Sequence, residues 1–363
     1  MDFGLLYEMA IPRPWTATTE HDAYWNVVEQ ARLADQSGFT HFWAVEHHFR
    51  EEFSHNAAPE ILLSAVAQHT DQIRIGHGVV LLPMNFNHPI RVAERIGALD
   101  ILSHGRVEFG TGRSLAELEL EGFGINPGDS RPQWAEAIDF LQGLWRNGDG
   151  EFEFNGKYFQ MPSRPIVPRP VQKPHPPMWL ASTSPDSYAI AGEYGLGVLA
   201  FGMGTDAAGM GRRIDRWRSA MANSTRDLYT KNENAGVFMM AFCGKTDAEA
   251  RRICEEAFVN YLDITIDVFV RWGRHRELPP GYEWYAKLLE VAKNQSAQLK
   301  FDHLVENKMI LVGSPDTLCE VIEGFDGVGA TQMIMAMQLG RIAHEDVKSS
   351  IKLFGEAVIP NFR

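Results

Sequence analysis

The sequence predicts a closed α/β barrel, and three observations carry that expectation. Short β-branched and aromatic runs recur along the chain, helical apolar spacing separates them, and titratable residues gather where one such run stops. Strand candidates cover residues 3–8, 40–45, 73–82, 107–110, 178–181, 197–201, 236–243 and 332–337. Helical patterns fall at residues 23–36, 59–70, 89–103, 132–145, 189–194, 207–221, 247–261, 315–324 and 345–354. Repeated strand-then-helix units imply a parallel sheet, and eight of them favour a (β/α)8 TIM barrel over an open doubly wound sheet.

The first helix places Trp25, Val28, Ala31 and Ala34 at helical spacing. The second strand, Phe39-Thr40-His41-Phe42-Trp43-Ala44-Val45 after Gly38, reads as fully buried and ends at Glu46-His47-His48-Phe49. Strand ends of this kind are where barrels put their chemistry. The third strand contains Gly76-His77-Gly78-Val79-Val80; glycine there marks a β-bulge or the close approach of a flat ligand. In the last strand Met333, Met335 and Met337 alternate with Ile334 and Ala336, a pattern of core packing on both faces.

Two insertions break the rhythm of what reads as a single domain over residues 1–363. The first, at about residues 151–177, opens with Phe152, Phe154 and Tyr158 around Asn155-Gly156, the turn of a β-hairpin. A proline-rich connector over residues 162–177 follows, extended and not helical. The second, at about residues 263–307, carries Phe269, Trp272, Tyr282, Trp284 and Tyr285 around Pro279-Pro280-Gly281. It reads as a lid over the barrel mouth, with surface packing as the alternative.

Of the 363 residues, 45% are apolar, enough for a large core, and the net charge of −13 disfavours nucleic acid and anionic membranes as partners. Cys243, Cys254 and Cys319 form no CxxC pair and read as reduced thiols of a cytoplasmic protein. Neither a leader nor a membrane-length apolar run is expected.

His47 and His48 are adjacent on extended chain, so their side chains face apart and cannot chelate one metal; with no HExxH present, no metal site is expected. Glu46 either orients its neighbours or is a salt-bridged strand-end carboxylate. Arg113 follows Phe109-Gly110-Thr111-Gly112 and suits a phosphate bidentately, or pairs with Glu117 at i+4. Ser182-Thr183-Ser184-Pro185-Asp186-Ser187 stands at a helix start, either as an anion site or as an ordinary N-cap. No GxGxxG follows a strand, which disfavours a nicotinamide site.

These residues, in order, resemble the bacterial-luciferase-like flavin-dependent monooxygenases. The resemblance rests on Phe3-Gly4, Glu46-His47-His48-Phe49, Leu82-Pro83, His88-Pro89-Ile90-Arg91, Gly105-Arg106-Val107-Glu108-Phe109-Gly110 with Arg113, Gln172-Lys173-Pro174-His175-Pro176-Pro177 and Gly313-Ser314-Pro315. It implies that reduced FMN (FMNH2) from a separate flavin reductase reacts with O2 to a C4a-peroxyflavin, which oxygenates a small organic substrate. It further implies His47 facing the flavin ring with His48 and Glu46 in support. A non-proline cis peptide is implied at Gly78–Val79 beneath the ring, and FMN phosphate on Arg113, Thr183, Ser184 and Ser187. A homodimer is the family expectation. F420-dependent hydride transfer is the alternative, disfavoured because those relatives carry Ser-Asp-His where this chain has Glu-His-His. A flavin-binding protein without turnover and a barrel metallohydrolase are the others.

Overall fold

The computed structural model describes residues 1–272, 275, 277–285 and 297–363. The chain begins β1 (Asp2–Tyr7), α1 (Thr19–Gln36), β2 (His41–Ala44), α2 (Pro59–His69), β3 (Arg74–Leu81), α3 (Pro89–Leu102) and β4 (Val107–Gly112). It continues with α4 (Glu117–Gly122), α5 (Pro127–Asn147), β5 (Phe152–Asn155), β6 (Gln160–Arg164), β7 (Met178–Ser182), α6 (Pro185–Glu193), β8 (Gly197–Phe201) and α7 (Ala207–Ala222). The last part holds β9 (Ala235–Cys243), α8 (Asp247–Trp272), α9 (Ala297–Glu306), β10 (Leu311–Gly313), α10 (Pro315–Gly327), β11 (Gln332–Ala336) and α11 (His344–Ala357).

Eight parallel strands run in the order β11-β1-β2-β3-β4-β7-β8-β9, and β9 pairs back with β11, closing a (β/α)8 barrel. All eight predicted strands are present within a residue or two. β10 is an unpredicted three-residue strand that extends the pairing of β9 at Ala241–Cys243. Both faces of the barrel wall are filled, which is why the strands read as continuous apolar runs: β9 is buried along its whole length and so is β11.

β3 carries two irregularities together. Its register against β4 shifts between His77 and Val80, and the Gly78–Val79 peptide is cis. Gly76 answers to packing: a Cβ there would sit 2.2 Å from the Trp43 ring.

Several boundaries differ from the sequence expectation. The hairpin exists, but its arms are β5 and β6, and Asn155 pairs with Gln160 as the last rung. The loop is therefore residues 156–159, longer than an Asn-Gly turn. The Glu136 carboxylate accepts from the N–H groups of Lys157, Tyr158 and Phe159 (2.9, 2.7 and 2.7 Å) and fixes that wider loop. α5 begins at Pro127, capped by the Asn126 side chain on Gly128 N–H, so Pro132 lies inside the helix instead of opening it. α8 runs to Trp272, well past residue 261. Within the 263–307 insertion, residues 273, 274, 276 and 286–296 lie outside the described residues; Trp272, Tyr282 and Tyr285 form a small buried cluster with Leu120 and Ile125. No helix is long and apolar enough to cross a membrane among the described residues.

Candidate active site

The carboxyl ends of the barrel strands surround one cavity of about 210 Å³. β2 delivers His47 to its wall. The backbone N–H of His47 donates to Asn56 O at 3.2 Å, fixing the turn out of the strand. The ring is held from behind: Nδ1 lies 2.8 Å from Oε1 of Glu119, on α4. Glu119 is fully buried, and it also accepts from the backbone N–H of His48 (3.0 Å) and the hydroxyl of Ser114 (2.5 Å). A carboxylate so placed accepts a hydrogen bond from Nδ1–H, leaving Nε2 of His47 toward the cavity.

Burial opposes charge on His47, but the Glu119 carboxylate outweighs it and, with Glu8, holds the imidazole above its ordinary range. Burial likewise opposes charge on Glu119, yet His47 and the hydrogen bonds from Ser114 and His48 hold its carboxyl low. The two directions agree: across their hydrogen bond each partner favours the other's charged form. Glu8, just beyond β1, completes the group, with Oε2 3.7 Å from Nε2 of His47. Its Oε1 accepts from the Tyr261 hydroxyl at 3.2 Å. Burial pushes the Glu8 carboxyl up, against the opposing pull of His47 and Arg50.

His48 turns the other way and does not line the cavity. It stacks on Phe86 (5.9 Å, 16°), meets Phe123 edge-on, and its Nε2 lies 3.3 Å from Glu46 Oε1. Glu46 accepts from Leu81 N–H (2.9 Å) and from Asn87 Nδ2 (2.9 Å), tying the end of β2 to the end of β3. It reaches the cavity wall, but its oxygens are spent on this framework.

Arg113, at the end of β4, also lines the cavity. It does not pair with Glu117, which bonds His275 instead. Its Nη1 donates to Ser130 Oγ at 2.9 Å and its Nη2 to the Gly281 carbonyl at 2.5 Å, and the guanidinium lies 4.2 Å over the Tyr282 ring. A second guanidinium, Arg131 from α5, lines the same region. Ser182, Thr183, Ser184 and Ser187 line it too, at the start of α6. Ser184 caps that helix, accepting from Ser187 N–H at 3.4 Å. Asp186, the acid of the first turn, is turned out to Arg216 (3.1 Å). Two guanidiniums, several hydroxyls and a helix amino end suit a phosphate dianion.

Between these ends, Gly78, Val79, Leu6, Trp43 and Leu180 give an apolar wall of the kind a flat ring needs. The residues therefore fit a flavin mononucleotide, with its phosphate by Arg113 and Arg131 and its ring by Val79 and His47. Sequence reasoning missed Glu8, Glu119, Arg131 and Tyr261. No group of three or more His, Cys, Asp or Glu among the described residues is arranged to hold a metal ion.

The model of the luciferase-like monooxygenase family matches residues 1–332, and the chain belongs to that family. It is 31% identical over 367 residues to the oxygenase component of flavin-dependent trigonelline monooxygenase from Acinetobacter baylyi, covering 100% of this chain and 96% of the relative. An F420-dependent hydroxymycolic acid dehydrogenase of Mycobacterium tuberculosis is 32% identical over 230 residues, 62% of this chain and 61% of the relative. The fold matches the oxygenating constituent of 3,6-diketocamphane monooxygenase from Pseudomonas putida, solved with FMN. The TM-score is 0.78 at 22% identity, over 99% of this chain and 98% of that one.

Arg113→Ala should weaken FMN binding about tenfold or more, the effect of losing a charge-assisted phosphate contact worth roughly 1.5–3 kcal/mol. Riboflavin, lacking the phosphate, should bind wild type and variant alike. Flavin fluorescence titration with both ligands separates the cases; equal FMN affinities would remove Arg113 from the phosphate site.

Proposed function

We propose that this protein is the oxygenase of a two-component system, taking FMNH2 from a separate reductase and using O2 to oxygenate a small organic substrate. The observation that carries the reading is one apolar cavity with a carboxylate-oriented histidine on one wall and a paired-arginine anion site on another. When bound, FMNH2 would supply the electrons that activate O2; the protein supplies binding, orientation and dryness. Arg113, Arg131 and the Ser182–Ser187 hydroxyls hold the phosphate. His47 holds or moves a proton at Nε2, with Glu119 fixing the tautomer and ring plane. Glu46 and His48 keep the β2 and β3 ends in register behind it. A cytoplasmic homodimer completes the reading.

The direct test is to mix the protein anaerobically with FMNH2, F420H2 or riboflavin, admit O2, and seek labelled oxygen in product from ¹⁸O2. Incorporation dependent on FMNH2 is the expected result. Turnover only with F420H2, and without oxygen incorporation, would select hydride transfer, the reading that the mycobacterial relative keeps open. Flavin binding with no turnover of any substrate would leave a binding protein.

The 263–307 segment is proposed to cover the site. Trp272 and Tyr282 stack at 4.3 Å, Trp272 Nε1 donates to Leu115 O (2.7 Å) and Tyr282 OH to Ser114 O (3.1 Å), so the segment is anchored on the Arg113 side. Shortening it between Trp272 and Tyr285 should raise hydrogen peroxide released per O2 consumed, because water then reaches the reacting centre. Unchanged coupling of oxygen to product would leave the segment as surface packing.

A further inference from the structure

We propose that Glu8 selects the substrate: a small, largely apolar organic molecule that presents one hydroxyl or N–H donor to Glu8 Oε2. The inference rests on the flavin reading of the cavity above and adds to it the class of molecule taken.

Barrel topology separates the two ends of the cavity. β1 and β7 face each other, four strands apart by either route, β1-β2-β3-β4-β7 or β1-β11-β9-β8-β7. The anion site lies on β4, β7 and the start of α6. A flavin held there by its phosphate, with its ring by Val79 on β3, leaves the β1, β9 and β11 side for a second molecule. That side is walled by Phe53, Phe201, Phe238 and Ile334. Phe53 stacks on Tyr261 there, at 5.6 Å and 16°, and carries the Arg50 guanidinium 3.6 Å over its ring.

Glu8 is the acid on this side, where Arg50, Tyr261 and Thr265 also reach the cavity wall. It is 7% exposed, and among the described residues its Oε2 has no hydrogen-bond partner. The nearest cation on that oxygen, His47 Nε2, is 3.7 Å away, beyond hydrogen-bond reach. Its other oxygen is already served by the Tyr261 hydroxyl, itself anchored on α8, where Thr265 Oγ1 donates to Tyr261 O at 2.8 Å. The carboxylate is thus fixed in place with one acceptor open. A buried acceptor left bare is costly, so an occupant without a donor is rejected by more than the value of one lost hydrogen bond. The same position brings the donor-bearing end of the substrate next to His47, where proton transfer is proposed.

The test uses a matched pair of probes, 4-fluorophenol and 4-fluoroanisole, titrated by ¹⁹F NMR into protein saturated with oxidised FMN. Wild type should bind the phenol at least about tenfold more tightly than the ether. Glu8→Gln should shrink that preference, and Glu8→Leu should abolish it while retaining ether binding. Thermal unfolding and flavin fluorescence check that both variants fold and hold FMN; if Glu8→Leu does not fold, Glu8→Gln decides. Equal affinities, no phenol binding, or a preference that survives loss of the carboxylate overturns the proposal. Repeating the titration without FMN separates the two readings: absence of FMN binding with an intact phenol preference would fell the flavin assignment and leave Glu8 standing.

Discussion

His47→Ala should fold, bind FMN with near wild-type affinity, and lose turnover by about 10²-fold or more, the size of a missing acid–base group. The imidazole is the titratable group with one nitrogen locked (Nδ1, 2.8 Å from Glu119) and the other toward the cavity. Nothing in the phosphate end touches it, which is why binding and turnover should separate. FMNH2 generated chemically in the assay removes the reductase from consideration. Turnover equal to wild type under those conditions would take His47 out of the reaction.

Glu119→Gln should alter the pH profile more than the plateau. In the wild type His47 keeps its proton above the ordinary value of 6.5, because burial is outweighed by Glu119. Activity that needs the imidazolium should fall as pH rises through that raised value. Removing the carboxylate charge should shift this fall to lower pH, because the hydrogen-bonded charge that favours the imidazolium is gone. Stability follows the same pair. The raised His47 contributes fully below 6.5 and loses its contribution as pH climbs through its folded value. The depressed Glu119 contributes above its ordinary 4.5 and loses its share as pH falls through its lower folded value. Together they support the fold most completely between those ordinary values. Glu119→Ala, which leaves His47 without its partner, should cost about 3–5 kcal/mol in urea unfolding near pH 6. Superimposable pH profiles for Glu119→Gln and wild type would mean that Glu119 does not tune His47.

The barrel was legible because its strands are mostly buried on both faces, as β9 and β11 are throughout, and so appear as short runs rich in apolar residues. Glu46, His47 and Arg113, each just beyond a strand end, do line the cavity. Glu119 was not legible, because it sits in Glu117-Leu118-Glu119-Leu120-Glu121, where every acid looks alike. Only the tertiary fold turns Glu119 inward to full burial while Glu121 stays exposed. Arg131 stands beside Pro132, which reads as a helix opening, and so its place inside α5 was hidden. The end of α8 was hidden by Ile264, Thr265 and Ile266, β-branched residues with poor helix propensity that packing overrides. Glu8 was within reach: it closes a strand as Glu46 does, and the same positional rule points to it.

Arg113 grips the Gly281 carbonyl and the Tyr282 ring from the place proposed for the cofactor's phosphate. Docking of residues 277–285 and retention of FMN therefore share one side chain and form a single thermodynamic cycle, in which each changes the other by the same factor. Tyr285, from that segment, also borders the cavity. An occupant of the cavity that presses on Tyr285 thus alters how long FMN stays without touching it. The dissociation rate of FMN, measured with and without such an occupant, becomes a report on substrate occupancy from a distance.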